Sequence, residues 1–229
     1  MMLGMKRTAM SYKDVVVIKP WGKEYLIYEN DDVGVWALHL NDGHKTSMHC
    51  HPNKNTGLIV LSGLIEVSFL TNKSVHYAPS KVMIRKGLFH SSRALGGDAI
   101  ILEIESPKDK LDLVRFGDDY GREDKPYEGH SDEHFRSHEL WIEQPKNLCG
   151  WQVHKLCGTP LIISTSPPSE LLNRNPKDIV IILMGNIYYQ KHIIAGPGDV
   201  ITVEVLNMLT DRFKCTRVFE TLIIGVNSV

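Results

Sequence analysis

The sequence predicts an all-β protein made of two small antiparallel barrels, and three observations predict it. Short runs rich in Val, Ile, Tyr and Phe recur at close spacing, with Gly, Asn, Asp or Pro in most of the gaps. A polar stretch without period separates two such β-rich halves, and the halves echo one another. His49 and His51 stand just ahead of an apolar run, and residues two apart in an extended chain share a face, so both imidazoles reach one point.

Taken in order, the predicted strands of the first half are Val15–Ile18, Glu24–Tyr28, Val33–Leu40, Leu58–Leu61, Ile65–Leu70, Lys81–Ile84 and Ala99–Glu105. Within the third run, Trp36, Leu38 and Leu40 share one face. Val35, Ala37, His39 and Asn41 share the other, which would line a partly polar interior. The segment 108–137 is charged and lacks a sustained period, so it reads as a linker with one short helix around Lys108–Val114. That places an N-terminal barrel at 1–107 and a C-terminal one at 138–229. Leu58–Val67 parallels Asp178–Tyr189, with Gly63 matching Gly185. Ala78–His90 parallels Gly196–Met208, with Pro79 matching Pro197 and His90 opposite Met208. Gly43–His51 would correspond to Gly158–Ser166, where no histidine occurs. The expectation is an internal duplication whose second copy has lost every ligand.

Composition excludes several function classes. A net charge of -1 gives no bulk electrostatic pull toward nucleic acid or an anionic membrane. No apolar run approaches the ~20 residues needed to span a bilayer. The N-terminal residues lack the apolar core of a secretory signal. Cys50, Cys149, Cys157 and Cys215 form no CxxC pair, which reads as reduced thiols in a cytoplasmic protein. Cys50 lies between the two histidines and by alternation points away from them.

His90, in the segment IRKGLFHSS, is the third candidate ligand. Three imidazoles from two strands with open positions suit a metal that also takes water or substrate. Gly43, His49, His51 and Gly63 match the first motif of the cupin superfamily, G(X)5HXH(X)3-4E(X)6G, and Gly87 with His90 matches the G(X)2H core of the second. The first half therefore resembles the cupins. That resemblance implies a double-stranded β-helix (jelly-roll) barrel, a bicupin in the whole chain, and a degenerate second barrel. Arg85 stands where the second motif usually has proline, and Ala94 where it usually has asparagine. Thr56 stands where the family's glutamate ligand falls, and a hydroxyl is a poor substitute for a carboxylate. Three neutral imidazoles suit Zn, Fe, Ni or Cu better than Mg or Ca.

Lys19-Pro20-Trp21-Gly22-Lys23-Glu24 looks like the first strand of sugar-phosphate cupins of the mannose-6-phosphate isomerase type. The stretches HCHPNKNTGLIVLSG and LVRFGDDYGRE are similar to small cupins that accompany capsule and nucleotide-sugar biosynthesis. The implied function is a metal-dependent isomerase or epimerase acting on a sugar phosphate or nucleotide sugar. Its metal would sit on His49, His51 and His90. Glu103 or Glu105, which share a strand face, would move a proton if that face points inward; otherwise they lie on a solvent-facing edge. Lys54, Arg85 and Arg93, near the histidines in sequence, are the candidate anion binders, flanked by Lys45 and Lys86. Tyr120, Arg122 and Tyr127 would either close over the barrel mouth or tether the linker. His130, His134 and His138 recur every fourth residue and read as a polar helix face or a loop. A non-catalytic sugar-binding or regulatory barrel is the alternative, and a metal-dependent dioxygenase a third reading. The partner implied is a small sugar derivative, with the chain a monomer or homodimer.

Overall fold

A computed structural model describes residues 12–13, 15–123, 125, 127, 133–135, 139–171 and 173–226. The first half forms β1 (Val15–Lys19), β2 (Gly22–Glu29), β3 (Gly34–Leu40), β4 (Met48–Cys50), β5 (Asn55–Ser62), β6 (Leu64–Phe69), β7 (Lys73–Tyr77), β8 (Ser80–Ile84), β9 (His90–Ala94) and β10 (Ala99–Ser106). Two strands follow in the predicted linker, β11 (Val114–Gly117) and β12 (Glu133–Phe135). One sheet runs β12-β1-β2-β3-β10-β5-β8 and the other β11-β4-β9-β6-β7. From β3 to β10 the chain passes back and forth between two facing antiparallel sheets, save at the β6–β7 hairpin within one sheet, the connectivity of an eight-stranded jelly roll.

The interior of this barrel is filled from both sheets. Trp36, Leu38, Leu58, Val60 and Ile101 meet Ile65, Val67 and Ala94, all nearly inaccessible. Gly63 joins β5 to β6 at φ 81°, and a Cβ there would come within 2.6 Å of the Asp98 carbonyl, so the hairpin needs glycine.

The second half repeats the plan with one strand missing. It forms β13 (Gly150–Leu156), β14 (Thr159–Ser166), β15 (Ile179–Met184), β16 (Ile187–Tyr189), β17 (His192–Ala195), β18 (Val200–Thr202), α1 (Val203–Arg212), β19 (Lys214–Cys215) and β20 (Phe219–Ile224). The order β14-β20-β15-β18 mirrors β3-β10-β5-β8, and β19-β16-β17 mirrors β9-β6-β7. The chain is thus two double-stranded β-helix barrels in tandem, the second degenerate. Gly185, at φ 105°, takes the role of Gly63.

Two predicted correspondences shift under this alignment. Thr159–Ser166 is the counterpart of β3, not of the histidine strand; where β4 would lie, the second copy has only a 3₁₀ turn at Pro168–Leu171. Met208 does not face His90's position either, because α1 is inserted ahead of β19. Thr202 caps that helix, its hydroxyl accepting from the Val205 N–H, and Val203 and Leu206 bury one side of it. The Lys108–Val114 stretch is a turn leading into β11, not a helix. His134 lies in β12, with the backbone of Val16 opposite, while His130 and His138 lie outside the described residues.

The face of β3 bearing Val35 and Ala37 does not line a polar interior. It packs with Ile59, Leu61, Leu102 and Ile104 against Leu161, Ile163, Ile181, Leu222 and Ile224 of the second barrel. His39 on that face is tied to the Tyr25 hydroxyl at 3.0 Å. Between the barrels Tyr28 donates to the buried Glu220 carboxylate, and Gln144 donates to its other oxygen at 3.0 Å. The central sheet is therefore buried on both faces, which is why β5 and β10 read as nearly unbroken apolar runs. Because this core is shared, Ile59→Ala is expected to cost about 2–5 kcal/mol and to loosen both barrels. Native-state hydrogen exchange would read the loss of protection in β5, β10, β15 and β20 together; unaltered amides in β20 would show two independent units.

Candidate metal centre

β4 carries His49 and leads into His51, and β9 begins at His90. His49 and His90 are paired directly across the two strands, so their side chains share the inner face. The potential ligand atoms of His49, His51 and His90 all lie within 4.8 Å of one another. Ring centroids are 4.9 Å apart for His49 and His51 and 4.5 Å for His49 and His90.

Each ring is fixed by a backbone carbonyl. Nδ1 of His49 donates to Ser47 O at 2.8 Å, Nδ1 of His51 to Asp112 O at 2.7 Å, and Nδ1 of His90 to Leu88 O at 3.0 Å. A carbonyl only accepts, so every Nδ1 carries the proton and every Nε2 of a neutral ring presents its lone pair. Burial pushes all three imidazoles toward the neutral form: His51 down to about 3, with Lys54 adding to the effect, His90 down to about 4, and His49 well below the usual range with His90 and His51 adding. His51 Nε2 is buried and makes no hydrogen bond. Three neutral nitrogens aimed at one point, one of them orphaned, are a fitting donor set for a borderline transition metal.

Strand order and the convergent imidazoles decide the architecture together. The N-terminal barrel is a cupin-type double-stranded β-helix. No protein-family model matches the sequence, and no curated protein matches it. Among solved structures, KdgF from Halomonas is similar over 42% of this chain and 87% of its own, at 18% identity and a TM-score of 0.40. A cupin-2 domain protein from Shewanella frigidimarina is similar over 36% of this chain and 78% of its own, at 22% identity and a TM-score of 0.34. The DMSP lyase DddQ from Ruegeria pomeroyi is similar over 41% of this chain and 50% of its own, at 17% identity and a TM-score of 0.37.

A cavity of about 60 Å³ lies over His49 and His51. Glu103 and Glu105 of β10 both point into the barrel rather than to a solvent edge, and both line the cavity. Their environments differ. Glu105 accepts from Lys54 Nζ at 2.8 Å and faces Lys110 Nζ at 3.1 Å; although burial works the other way, these ammonium groups hold its carboxyl down at about 2. Glu103 has no ammonium within 4.0 Å among the described residues; the Nε2 of the neutral His51 ring lies at 3.8 Å, too far for a hydrogen bond. Burial, opposed by Lys110 and reinforced by Glu105, raises Glu103 to about 7.

Lys54 is in the cavity wall, but Arg85 and Arg93 are not. Arg85 is exposed beyond the end of β8. Arg93 follows Ser92 and precedes Ala94 on β9, and strand alternation turns it to the face opposite His90. The residues that take their place come from the predicted linker: Lys110, Leu113, Arg115, Arg122 and Tyr127, joined by Lys19 and Glu24 from the first strands. Arg115 is paired opposite His49, which brings it to the inner face. Arg122 is held by Asp118 at 2.5 and 2.9 Å, and Tyr120 stacks on His44. Thr56 is buried inside the barrel with its hydroxyl unpartnered.

Asp112 escaped the sequence reading, having no motif to mark it. Its carbonyl receives the His51 proton, while its carboxylate accepts from the backbone N–H of Asn53 and Lys54 and from the Asn53 side chain, at 2.9–3.1 Å. It pins the loop that follows the histidine pair. Asp112→Ala is expected to weaken metal binding about 10- to 100-fold without changing the saturating metal content, as measured by competition with a chromophoric chelator. Unaltered affinity would show that His51 is oriented without it.

Proposed function

We propose that the N-terminal barrel is the active unit of a metal-dependent isomerase or epimerase acting on a sugar phosphate or nucleotide sugar. One observation carries this reading: three Nε2 lone pairs converge beside a buried carboxyl group, Glu103, that has no ammonium within 4.0 Å among the described residues. Proton transfer next to a carbonyl needs that pairing of an electrophile with a base of matched pKa.

His49, His51 and His90 would hold a divalent Zn, Fe or Ni ion, which supplies Lewis acidity toward a sugar carbonyl or hydroxyl oxygen. Glu103 takes the proton from the carbon beside the carbonyl; the C–H pair becomes a C=C bond as the C=O π pair moves onto the carbonyl oxygen. In an isomerisation Glu103 returns the proton to the former carbonyl carbon while the neighbouring hydroxyl gives its proton to the first oxygen; in an epimerisation water on the opposite face supplies the proton and Glu103 releases its own to solvent. Glu105 takes no part in this transfer. Locked by Lys54 and Lys110, it sets their positions. The barrel wall and Trp21 limit water around the base.

Thr56, in place of a carboxylate, favours a second reading, a barrel that binds a sugar derivative without transforming it. Two measurements decide between them. Metal-loaded protein is expected to exchange solvent deuterium into the substrate carbon beside the carbonyl. Glu103→Gln is expected to slow that exchange about 10²- to 10⁴-fold while metal content stays unchanged. Absence of stoichiometric metal, with His49→Ala leaving behaviour unaltered, would overturn the proposal. Sugar binding that survives a chelator, with no exchange, would favour the second reading.

A further inference from the structure

We propose that the segment between the barrels carries the substrate's anion receptor, and that Lys110 is its central residue, taking an anionic oxygen group, phosphate or carboxylate, of the sugar. The inference rests on the reading of this cavity as a sugar-derivative site and names what that site selects.

Lys110 reaches into the barrel from the turn that follows β10, its side chain about one-tenth exposed. It lies 3.8 Å from the Trp36 ring centroid and 5.4 Å from that of Tyr127. Lys110 shares its nearest carboxylate: Glu105 Oε1 already accepts from Lys54 at 2.8 Å and meets Lys110 at 3.1 Å. The next carboxylate, Glu24, is 3.9 Å away, beyond hydrogen-bond reach, and also accepts from the Tyr127 hydroxyl. Lys54 spends a second donor on the Asp109 carbonyl at 2.9 Å. One carboxylate oxygen thus serves two buried ammonium groups, and the three-donor head of Lys110 retains N–H capacity toward the cavity it lines. Glu105, Glu24 and Glu103 outweigh the effect of burial and hold Lys110 in its ammonium form, so its head stays charged where it borders the cavity. Lys19, Lys54 and Arg115, in the same wall, offset those carboxylates.

The arrangement also explains why the linker is built into the first barrel. β11 pairs with β4, Tyr120 stacks on His44, and Lys45 meets Asp119 at 2.9 Å. These contacts hold the segment across the mouth with its basic side chains turned in.

The test is calorimetric titration of the full chain, stripped of metal by chelator, with inorganic phosphate and separately with acetate. Wild-type protein is expected to bind at least one anion in the millimolar range or tighter. Lys110→Met is expected to weaken binding about tenfold or more, and Lys110→Arg to restore most of it. Glu105 keeps Lys54 as its partner in the methionine variant, and circular dichroism checks the fold. Preference for phosphate assigns a sugar phosphate; preference for acetate assigns a sugar acid. Anion affinity unchanged in Lys110→Met, or no binding of either anion by the wild type, would overturn the proposal. Binding that appears only after metal is restored and disappears in His49→Ala would also overturn it, by placing the anion on the ion. A parallel metal titration separates the two readings, since loss of metal binding with Lys110-dependent phosphate binding would sink the metal site and leave the receptor.

Discussion

Three backbone carbonyls set the chemistry of this barrel. By accepting the Nδ1 protons of His49, His51 and His90, Ser47, Leu88 and Asp112 fix which nitrogen of each ring is bare. Whether one cation can be shared among the rings depends on that choice. Were any ring reversed, an N–H would point at the convergence point and no cation could share it with the others. Two of the three carbonyls lie two residues before their histidine, within the turns that launch β4 and β9. The third lies far along the chain, so the jelly roll supplies two parts of the arrangement locally and one through tertiary closure.

That tertiary part makes the segment after β10 more than a connection. It brings Asp112 beneath His51, Arg115 opposite His49 and Lys110 beside Glu105. The charges are arranged so that one carboxylate is free and one is not. Burial alone would raise both Glu103 and Glu105. Two ammonium groups reverse the outcome at Glu105 and reach Glu103 only at longer range. Environments that push two neighbouring carboxylates apart in pKa suit one to take up a proton and the other to hold its cations, the division the proposed function uses. Removing Lys110 would alter both environments, whereas removing Glu103 would alter one.

What could be read in the sequence follows from how local each feature is. The pair His49 and His51 is governed by the two-residue alternation of an extended chain, and the apolar strands β3, β5 and β10 are visible as runs because both faces of the central sheet are covered, while β6, in the facing sheet, shows alternation. β7 and β9 were harder to see. KSVHY and HSSRA carry too few apolar residues, since one is half exposed and the other fills its inner face with His90 and Ser92. Arg93 shows a rule left unused: if His90 faces inward, its third neighbour along the strand faces outward. Lys110 and Asp112 had no periodic or motif context at all, because their roles exist only once the linker folds back over β4. Tyr127 and Arg122 were legible as chemistry but not as location.

The second barrel shows what the first cannot lose. It keeps the sheet order, the hairpin glycine and the apolar face toward its partner, yet the histidine strand has become a 3₁₀ turn and a helix stands between β18 and β19. The loss is confined to the sheet far from the shared core. β14, β15 and β20 bury Leu161, Ile163, Ile181, Leu222 and Ile224 against the first barrel, so their pattern is held by packing. The opposite sheet, released from ligand geometry, needed only to close its own interior, which Val203 and Leu206 of α1 do with Ile182, Ile187 and Phe219. One copy thus became the floor on which the other holds its imidazoles, and the burial it provides to β5 and β10 keeps Glu103 and Glu105 at fixed depth beneath the cavity.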